Sequence, residues 1–282
     1  MPAYNEASAI GDTLDELLPI ANELEWQVVV VDDGSNDNTG EIAKKHGIEV
    51  LTHPYNQGYG ASLSTGVRAT DADILVFLDS DGQHDPNDII RLLEHSDQYD
   101  MVVGARTKDS HVDLRRRAGK RILKWFADYL AKEKIPDINS GFRIFRRDTL
   151  LSYLHLMPKG FSFSTTSTFA MLKGGHKIKW VPIQTTKRVG TSTVKQLKHG
   201  PEVMMLMLRL TVLFDPLRVF LPISGVLILL AAIMTILNLI MYRIAIPASA
   251  VFLGISSVII FMLGLLTDQV SAIRREMHRQ SY

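Results

Sequence analysis

Ile74-Leu75-Val76-Phe77-Leu78-Asp79-Ser80-Asp81-Gly82-Gln83-His84 is the stretch that decides the fold. A short apolar run stops at two aspartates separated by one residue. The run reads as a buried strand, because it is brief, apolar and bounded by charge and glycine. Open α/β sheets place their ligands beyond the carboxyl ends of such strands. Two carboxylates there either repel one another or share a cation, and a hard divalent ion takes one or two carboxylates while leaving its other positions to water and phosphates. Asp, Ser and Gly are also turn formers, so alone the pattern is compatible with a solvated turn or a metal-diphosphate site. An EF-hand calcium loop is excluded, since it needs Gly at its sixth position and Glu at its twelfth, where His84 and Ile90 stand.

Outward from this stretch, strands alternate with helices. A helix is expected from about Ser8 to Leu24, a strand at Gln27–Val31, a helix at Asn38–His46, a strand at Ile48–Leu51 and a helix opening at Asn56–Gly60 and running to Ala69. After Ile74–Leu78 come a helix at Pro86–His95, a strand at Met101–Gly104, a basic helix at Leu114–Lys132, a strand at Phe142–Phe145, a helix at Phe163–Lys173 and a strand at Lys177–Val181. The alternation predicts a parallel, doubly wound sheet. Chemistry then belongs on the loops Asp32–Ser35, Asp79–His84 and Gly104–Arg106. The basic helix reads either as a solvated surface helix or as one lying on a membrane face.

The chain has 282 residues and a formal charge of +1, so no global basic field argues for nucleic acid. It has no cysteine, which excludes disulfides, zinc-thiolate sites and thiol nucleophiles. Val219–Tyr242 and Ile244–Thr267 carry no charged residue. Each exceeds the ~20 residues a helix needs to cross the hydrocarbon core. They read as a transmembrane hairpin, with Lys195, Lys198, Arg209 and Arg218 before it and Arg274, Arg275 and Arg279 after it. Both flanks lie on one side, and their basic residues assign that side to the cytoplasm. No N-terminal signal peptide is read. The expected organisation is a catalytic domain over 1–193, an amphipathic interfacial helix over 194–215, the hairpin over 216–268 and a basic tail over 269–282.

Four motifs occur in order: Pro2-Ala3-Tyr4-Asn5-Glu6, Asp32-Asp33-Gly34-Ser35, Asp79-Ser80-Asp81-Gly82-Gln83-His84 and Ser140-Gly141-Phe142-Arg143. Together they resemble the family 2 inverting glycosyltransferases of the Rossmann-like GT-A fold, and among these the polyprenyl-phosphate glycosyltransferases. The resemblance spans about residues 1 to 193, and the hairpin is similar to the membrane anchor of one branch. It implies that Pro2, Ala3, Tyr4, Glu6, Asp32 and Asp33 line the nucleotide pocket, with Ser80 and Arg188 also on the nucleotide sugar. Asp79, Asp81 and Gln83 would hold Mg2+ or Mn2+. Arg106, Arg115, Ser140, Arg143 and Ser192 would meet the acceptor phosphate, with Ser192 and Arg188 sharing a loop that closes over the diphosphate. Asp137 would act near the acceptor as a catalytic carboxylate alongside Asp79 and Asp81. The implied partners are a nucleotide-diphosphate sugar, a polyprenyl phosphate lipid and the membrane, and the hairpin offers a surface for a homo-oligomer.

The chain departs from that pattern in three places. Relatives place a strand before the first motif, where this sequence has Met1, so the first strand is expected to be missing. Ala118-Gly119 stand where relatives often carry Ser, and Thr193 where many carry Lys, for which Lys195 is a substitute. Rival readings are a transferase acting on a polysaccharide, which usually carries a Gln-x-x-Arg-Trp motif not found here, and a catalytically silent membrane-anchored binding protein, which would be expected to lose the Asp-x-Asp. A dinucleotide-binding oxidoreductase is disfavoured because Gly58-Tyr59-Gly60 lacks a third glycine.

Overall fold

The computed structural model describes residues 1–107, 117–186, 200–242 and 246–279, and the chain divides into two compact units, Met1–Met204 and Met205–Tyr282. In the first unit, β1 (Pro2–Ala3), β2 (Val29–Asp32) and β3 (Glu49–Thr52) form a parallel sheet in the order β1-β2-β3. Helix α1 (Ile10–Glu23) buries Ile10, Leu14, Leu17 and Ala21 at helical spacing. Helices α2 (Thr39–Lys45) and α3 (Tyr59–Arg68) complete this half.

A second sheet runs β4-β6-β5-β7, from β4 (Ile74–Phe77), β5 (Met101–Arg106), β6 (Arg143–Arg146) and β7 (Ile178–Ile183), with α4 (Asp88–Leu93), α5 (Arg117–Ala131), α6 (Arg147–Tyr153) and α7 (Phe163–Lys173) around it. The expectation of a wholly parallel sheet is corrected at β6, which lies antiparallel between β4 and β5. Strand-helix alternation reports the order of elements but not the direction of one strand inserted between two others. The sequence reading also missed α6 and the 3-10 turn at Leu154–Leu156.

The expectation of a missing first strand meets a two-residue β1: Met1 O accepts from Val31 N at 2.8 Å and Ala3 O from Asp33 N at 2.8 Å. Among the described residues, β1 pairs only with β2 and β4 only with β6. An apolar cavity of about 530 Å3 is lined by Met1, Val29 and Val31 from the first sheet and by Ile74, Val76 and Leu78 on and after β4, among others.

Helix α7 runs against simple patterning. Ser164, Thr165, Thr166, Ser167 and Thr168 are all buried with Phe163, Phe169 and Met171. Buried hydroxyls need partners, and two of these accept hydrogen bonds from an arginine on β6.

Helix α8 (Gly200–Phe214) contains the boundary between the units, and the second unit continues as α9 (Leu217–Tyr242) and α10 (Ala248–Arg279). The segment expected to be a basic tail is helical through Arg279, a continuation of α10. Helices α9 and α10 pack through small residues, with Ser257 Oγ donating to Ser224 O at 2.8 Å and Gly264 pressed against Phe220. Small seams of this kind let helices approach closely in lipid. Windows of Leu217–Met241 and Ala248–Arg274 have mean hydropathy of 2.6 and 2.4, yet only 11% and 17% of each is buried within the chain. A soluble core hairpin would bury most of such a surface, whereas here Leu229, Ile240, Phe252 and Leu266 face outward. By length, composition and exposure the hairpin is a membrane anchor.

Candidate active site

The first two motifs are laced into one wall. Asn5 N donates to Ser35 Oγ at 3.0 Å, Glu6 N to Thr39 Oγ1 at 2.9 Å and Asn36 N to Asn5 Oδ1 at 2.8 Å. Asp32 Oδ1 accepts from Ser35 N at 3.0 Å, which caps the turn after β2. Asp33 is 3% exposed: Oδ1 accepts from Gln57 N and meets His53 Nδ1 at 2.7 Å, while Oδ2 accepts from Gly58 N at 2.8 Å. His53 Nε2 in turn meets Thr65 Oγ1 at 2.9 Å. Asp33 therefore ties the β2 turn to the start of α3, an organising role that the sequence reading did not identify. Ser80 Oγ donates to Pro2 O at 2.9 Å and joins this wall to the carboxylate loop.

Beyond β4, Asp79 and Asp81 sit on a loop whose other side is closed by the segment after β7. Thr186 N donates to Gln83 O at 3.0 Å, its hydroxyl to Gly82 O at 2.8 Å, and His84 bridges Thr185. Gln83 N donates to Asp81 Oδ1 at 3.2 Å. Asp79 Oδ1 accepts from the Tyr59 hydroxyl at 2.9 Å, and Oδ2 lies 3.9 Å from His84 Nε2. Burial holds His84 below the usual imidazole range, against the opposing pull of Asp79 and Asp81. Burial thus disfavours a proton on His84 beside the two carboxylates.

Arg106 and Asp137 meet at the same end of the sheet. The guanidinium donates through Nε to Oδ2 at 2.6 Å and through Nη2 to Oδ1 at 3.0 Å, a bidentate pair. The pair lies within electrostatic reach of Asp79 and His84. Burial alone would raise the Asp137 pKa, but Arg106 and the Asn139 and Arg106 backbone amides outweigh it and hold the carboxyl below its usual value. A depressed folded-state pKa stabilises above the unfolded carboxylate range, near ~4, and that stabilisation is lost as pH falls through the folded value. Asp137→Asn is therefore expected to lower Tm at pH 7, with the deficit relative to wild type shrinking below about pH 4; thermal melts across pH check this.

Arg143 requires a correction, and Ser140, also expected at the acceptor phosphate, lies buried beside it. Both are 1% exposed. Arg143 donates to Ser140 O at 2.7 Å, Ile138 O at 3.1 Å, Ser167 Oγ at 3.1 Å and Thr168 Oγ1 at 2.8 Å. Its donors are spent inside the protein, so it shapes the loop after Asp137 and offers no face to an acceptor phosphate. Burial lowers its pKa to about 10, with Tyr59, Asp137 and Asp79 opposing the drop, and it stays charged at neutral pH.

Tyr4 is partly exposed, Glu6 buried and Pro2 and Ala3 buried on the first wall. Arg115, Arg188, Ser192, Thr193 and Lys195 lie outside the described residues, as do the side chains of Ala118 and Lys120. On α5, Trp125 and Tyr129 are exposed and stacked, with ring centroids 5.9 Å apart, while Ala127 and Leu130 are buried. Sequence reasoning missed Tyr59. Its only signal was a bulky aromatic between two glycines at the head of a helix.

The donor set fits a hard divalent ion shared with a ligand. Among the described residues no group of three or more His, Cys, Asp or Glu gathers to close a site. Two carboxylates at a strand end match the demand of Mg2+ or Mn2+ for a few protein oxygens, with the remainder from water and phosphates.

The fold of the first unit is that of the GT-A nucleotide-sugar transferases. The crystal structure of glucosyl-3-phosphoglycerate synthase from Mycobacterium tuberculosis in complex with Mn2+, UDP and phosphoglyceric acid superposes with a TM-score of 0.62 at 20% identity, covering 74% of this chain and 76% of that one. The chain belongs to glycosyl transferase family 2, whose model matches residues 1–154, and residues 215–273 match the GtrB C-terminal hairpin. Similar proteins include an undecaprenyl-phosphate mannosyltransferase of Micrococcus luteus, 30% identical over 67% of this chain and 82% of that protein. A dolichyl-phosphate hexose transferase of Haloferax volcanii is 32% identical over 72% of this chain and 88% of its own.

Proposed function

We propose that this glycosyltransferase moves a hexose, glucose or mannose, from a UDP- or GDP-sugar to a polyprenyl phosphate at the cytoplasmic face of a membrane. The observation that carries the reading is the Asp79–Asp81 loop facing the Arg106–Asp137 pair, in a chain that ends in a membrane hairpin. The named activities of the Micrococcus luteus and Haloferax volcanii relatives support the acceptor class. The Mn2+ and UDP of the Mycobacterium tuberculosis structure support a divalent ion and a nucleotide donor.

The roles rest on the motifs and, for the described residues, on the contacts their side chains make. The wall built from Pro2–Glu6 and Asp32–Ser35 receives base and ribose. Asp79 and Asp81, with Gln83, would hold Mg2+ or Mn2+, which when bound supplies Lewis-acid charge to the diphosphate leaving group. A lipid phosphate is already ionised at neutral pH, so Asp137 orients the acceptor rather than deprotonating it. Arg106 is held by Asp137 and is partly exposed, so it can turn one edge of its fork to an incoming phosphate. Arg188, on the segment that follows Thr186, is assigned to the donor diphosphate, and Arg115 and Ser192 to the acceptor phosphate. Direct displacement by the phosphate oxygen inverts the anomeric centre, giving a β-linked lipid phosphosugar from an α-linked donor.

A donor screen tests this reading. Full-length protein in a membrane mimetic, given short polyprenyl phosphate, Mn2+ and radiolabelled UDP- or GDP-hexoses, is expected to carry label from one donor into the organic phase. Label recovered only in a polysaccharide, or in no product with any donor, contradicts it.

A further inference from the structure

Tyr59, which no sequence motif assigned, is built against the carboxylate loop from three directions. Its hydroxyl donates to Asp79 Oδ1 at 2.9 Å. Its ring stacks on Phe161, with centroids 5.7 Å apart and planes 19° from parallel. Its backbone is fixed by the glycines on either side. A Cβ at Gly60 would collide with the Pro158 carbonyl, and one at Gly58, where φ is +106°, would lie 2.5 Å from Lys159 O. Ala61 N donates to Lys159 O at 3.0 Å, and Gly58 N to Asp33 Oδ2 at 2.8 Å. The phenol is thus delivered to Asp79 by a rigid frame.

The two oxygens of Asp79 have different surroundings. Oδ1 carries the phenol, whereas Oδ2 borders His84, and Gly141 lies close to both. A Cβ at Gly141 would come 2.5 Å from Oδ2, 2.6 Å from the Tyr59 oxygen and 2.9 Å from Oδ1. The slot around this carboxylate therefore admits no side chain at residue 141, and the Asp79 side chain keeps 27% of its surface exposed.

We propose that Tyr59 is a positioning residue for the cation site: by occupying Oδ1 it fixes the Asp79 carboxylate with Oδ2 as its single ligand oxygen. Ligation through one oxygen leaves more of the coordination sphere of a six-coordinate ion to diphosphate and water. Groups that orient metal ligands in this way are worth about 10- to 100-fold in metal affinity. The proposal rests on the assignment of Asp79 as a ligand under the proposed function.

The test titrates full-length protein with Mn2+ in the presence of UDP and reads free Mn2+ by electron paramagnetic resonance. Tyr59→Phe keeps the ring on Phe161 and removes only the hydroxyl. It is expected to raise the half-saturating Mn2+ concentration about tenfold, with Tm close to wild type. Gly141→Ala, which crowds both the phenol and Oδ2, is expected to weaken Mn2+ in the same direction. Affinity for Mn2+ that is unchanged or tighter in Tyr59→Phe overturns the proposal. Asp79→Asn, titrated alongside, separates the two levels. If it weakens Mn2+ while Tyr59→Phe does not, only the role of Tyr59 fails; if Asp79→Asn itself binds Mn2+ like wild type, the ligand assignment fails with it.

Discussion

Asp79→Ala and Asp81→Ala are each expected to cut sugar transfer by about a thousandfold while the protein remains folded. The size follows from what the carboxylates stabilise. Charge grows on the diphosphate as the glycosidic bond breaks, and removing one element of preorganised charge stabilisation costs on the order of 100- to 1,000-fold in rate, with a metal contributing several kcal/mol of such stabilisation. Survival of the fold follows from position. Both residues lie past the end of β4, outside its ladder with β6, and their loop is held independently by Ser80 on Pro2 and by Thr186 on Gly82 and Gln83. Losing either carboxylate also removes a negative charge from a loop that holds two. Measured as organic-phase label together with a thermal melt, the expected pattern is activity lost and Tm nearly kept. Full metal-dependent transfer by either variant would show that these carboxylates do not carry the reaction.

Arg143→Ala should show the opposite pattern, a large loss of stability. The side chain is among the largest fully buried of the described residues and donates four hydrogen bonds to oxygen acceptors. Truncation leaves a cavity and strips donors from the carbonyls of Ile138 and Ser140 and from the hydroxyls of Ser167 and Thr168. Large-to-small core changes and orphaned buried polar groups together put the cost at about 3–5 kcal/mol. At ~2–4 °C per kcal/mol for a domain of this size, Tm is expected to fall by about 10 °C. Arg143→Lys is expected to rescue little, because an ammonium cannot reproduce the planar fork that spans these acceptors. Calorimetry or a fluorescence melt checks both. A drop of only a degree or two would mean the network is dispensable.

The sequence was most readable where one local rule governed the outcome. Ile74–Phe77 is a strand because a short apolar run can be little else before two aspartates, and α7 begins and ends at Phe163 and Lys173 as expected. The hairpin was readable from charge alone, since two long uncharged runs separated by one arginine leave few alternatives. What was not readable depended on contacts distant in sequence. Arg143 follows Gly141-Phe142 and resembles a surface cation at a strand entrance. Its burial depends on Ser167 and Thr168, more than 20 residues away, on a helix whose hydroxyl residues look solvent-facing but are not. The antiparallel insertion of β6 is another global choice, made by which strands flank it rather than by its own residues. Tyr59 reaches Asp79 only because α3 and the end of β4 converge, and no local pattern encodes that. For Asp33, the turn motif was legible but its partners His53 and Gly58 were not, so the residue was placed on the pocket wall without its tie to α3.

One time course tests the central claim most directly. Full-length protein in a membrane mimetic, with the preferred radiolabelled donor and polyprenyl phosphate, is started with Mn2+, stopped with a chelator and restarted with excess Mn2+. Label should enter the organic phase, halt on chelation and resume on metal addition, in a product whose sugar phosphate has the inverted anomeric configuration. Label that stays aqueous, or transfer that continues undiminished through chelation, would contradict the account.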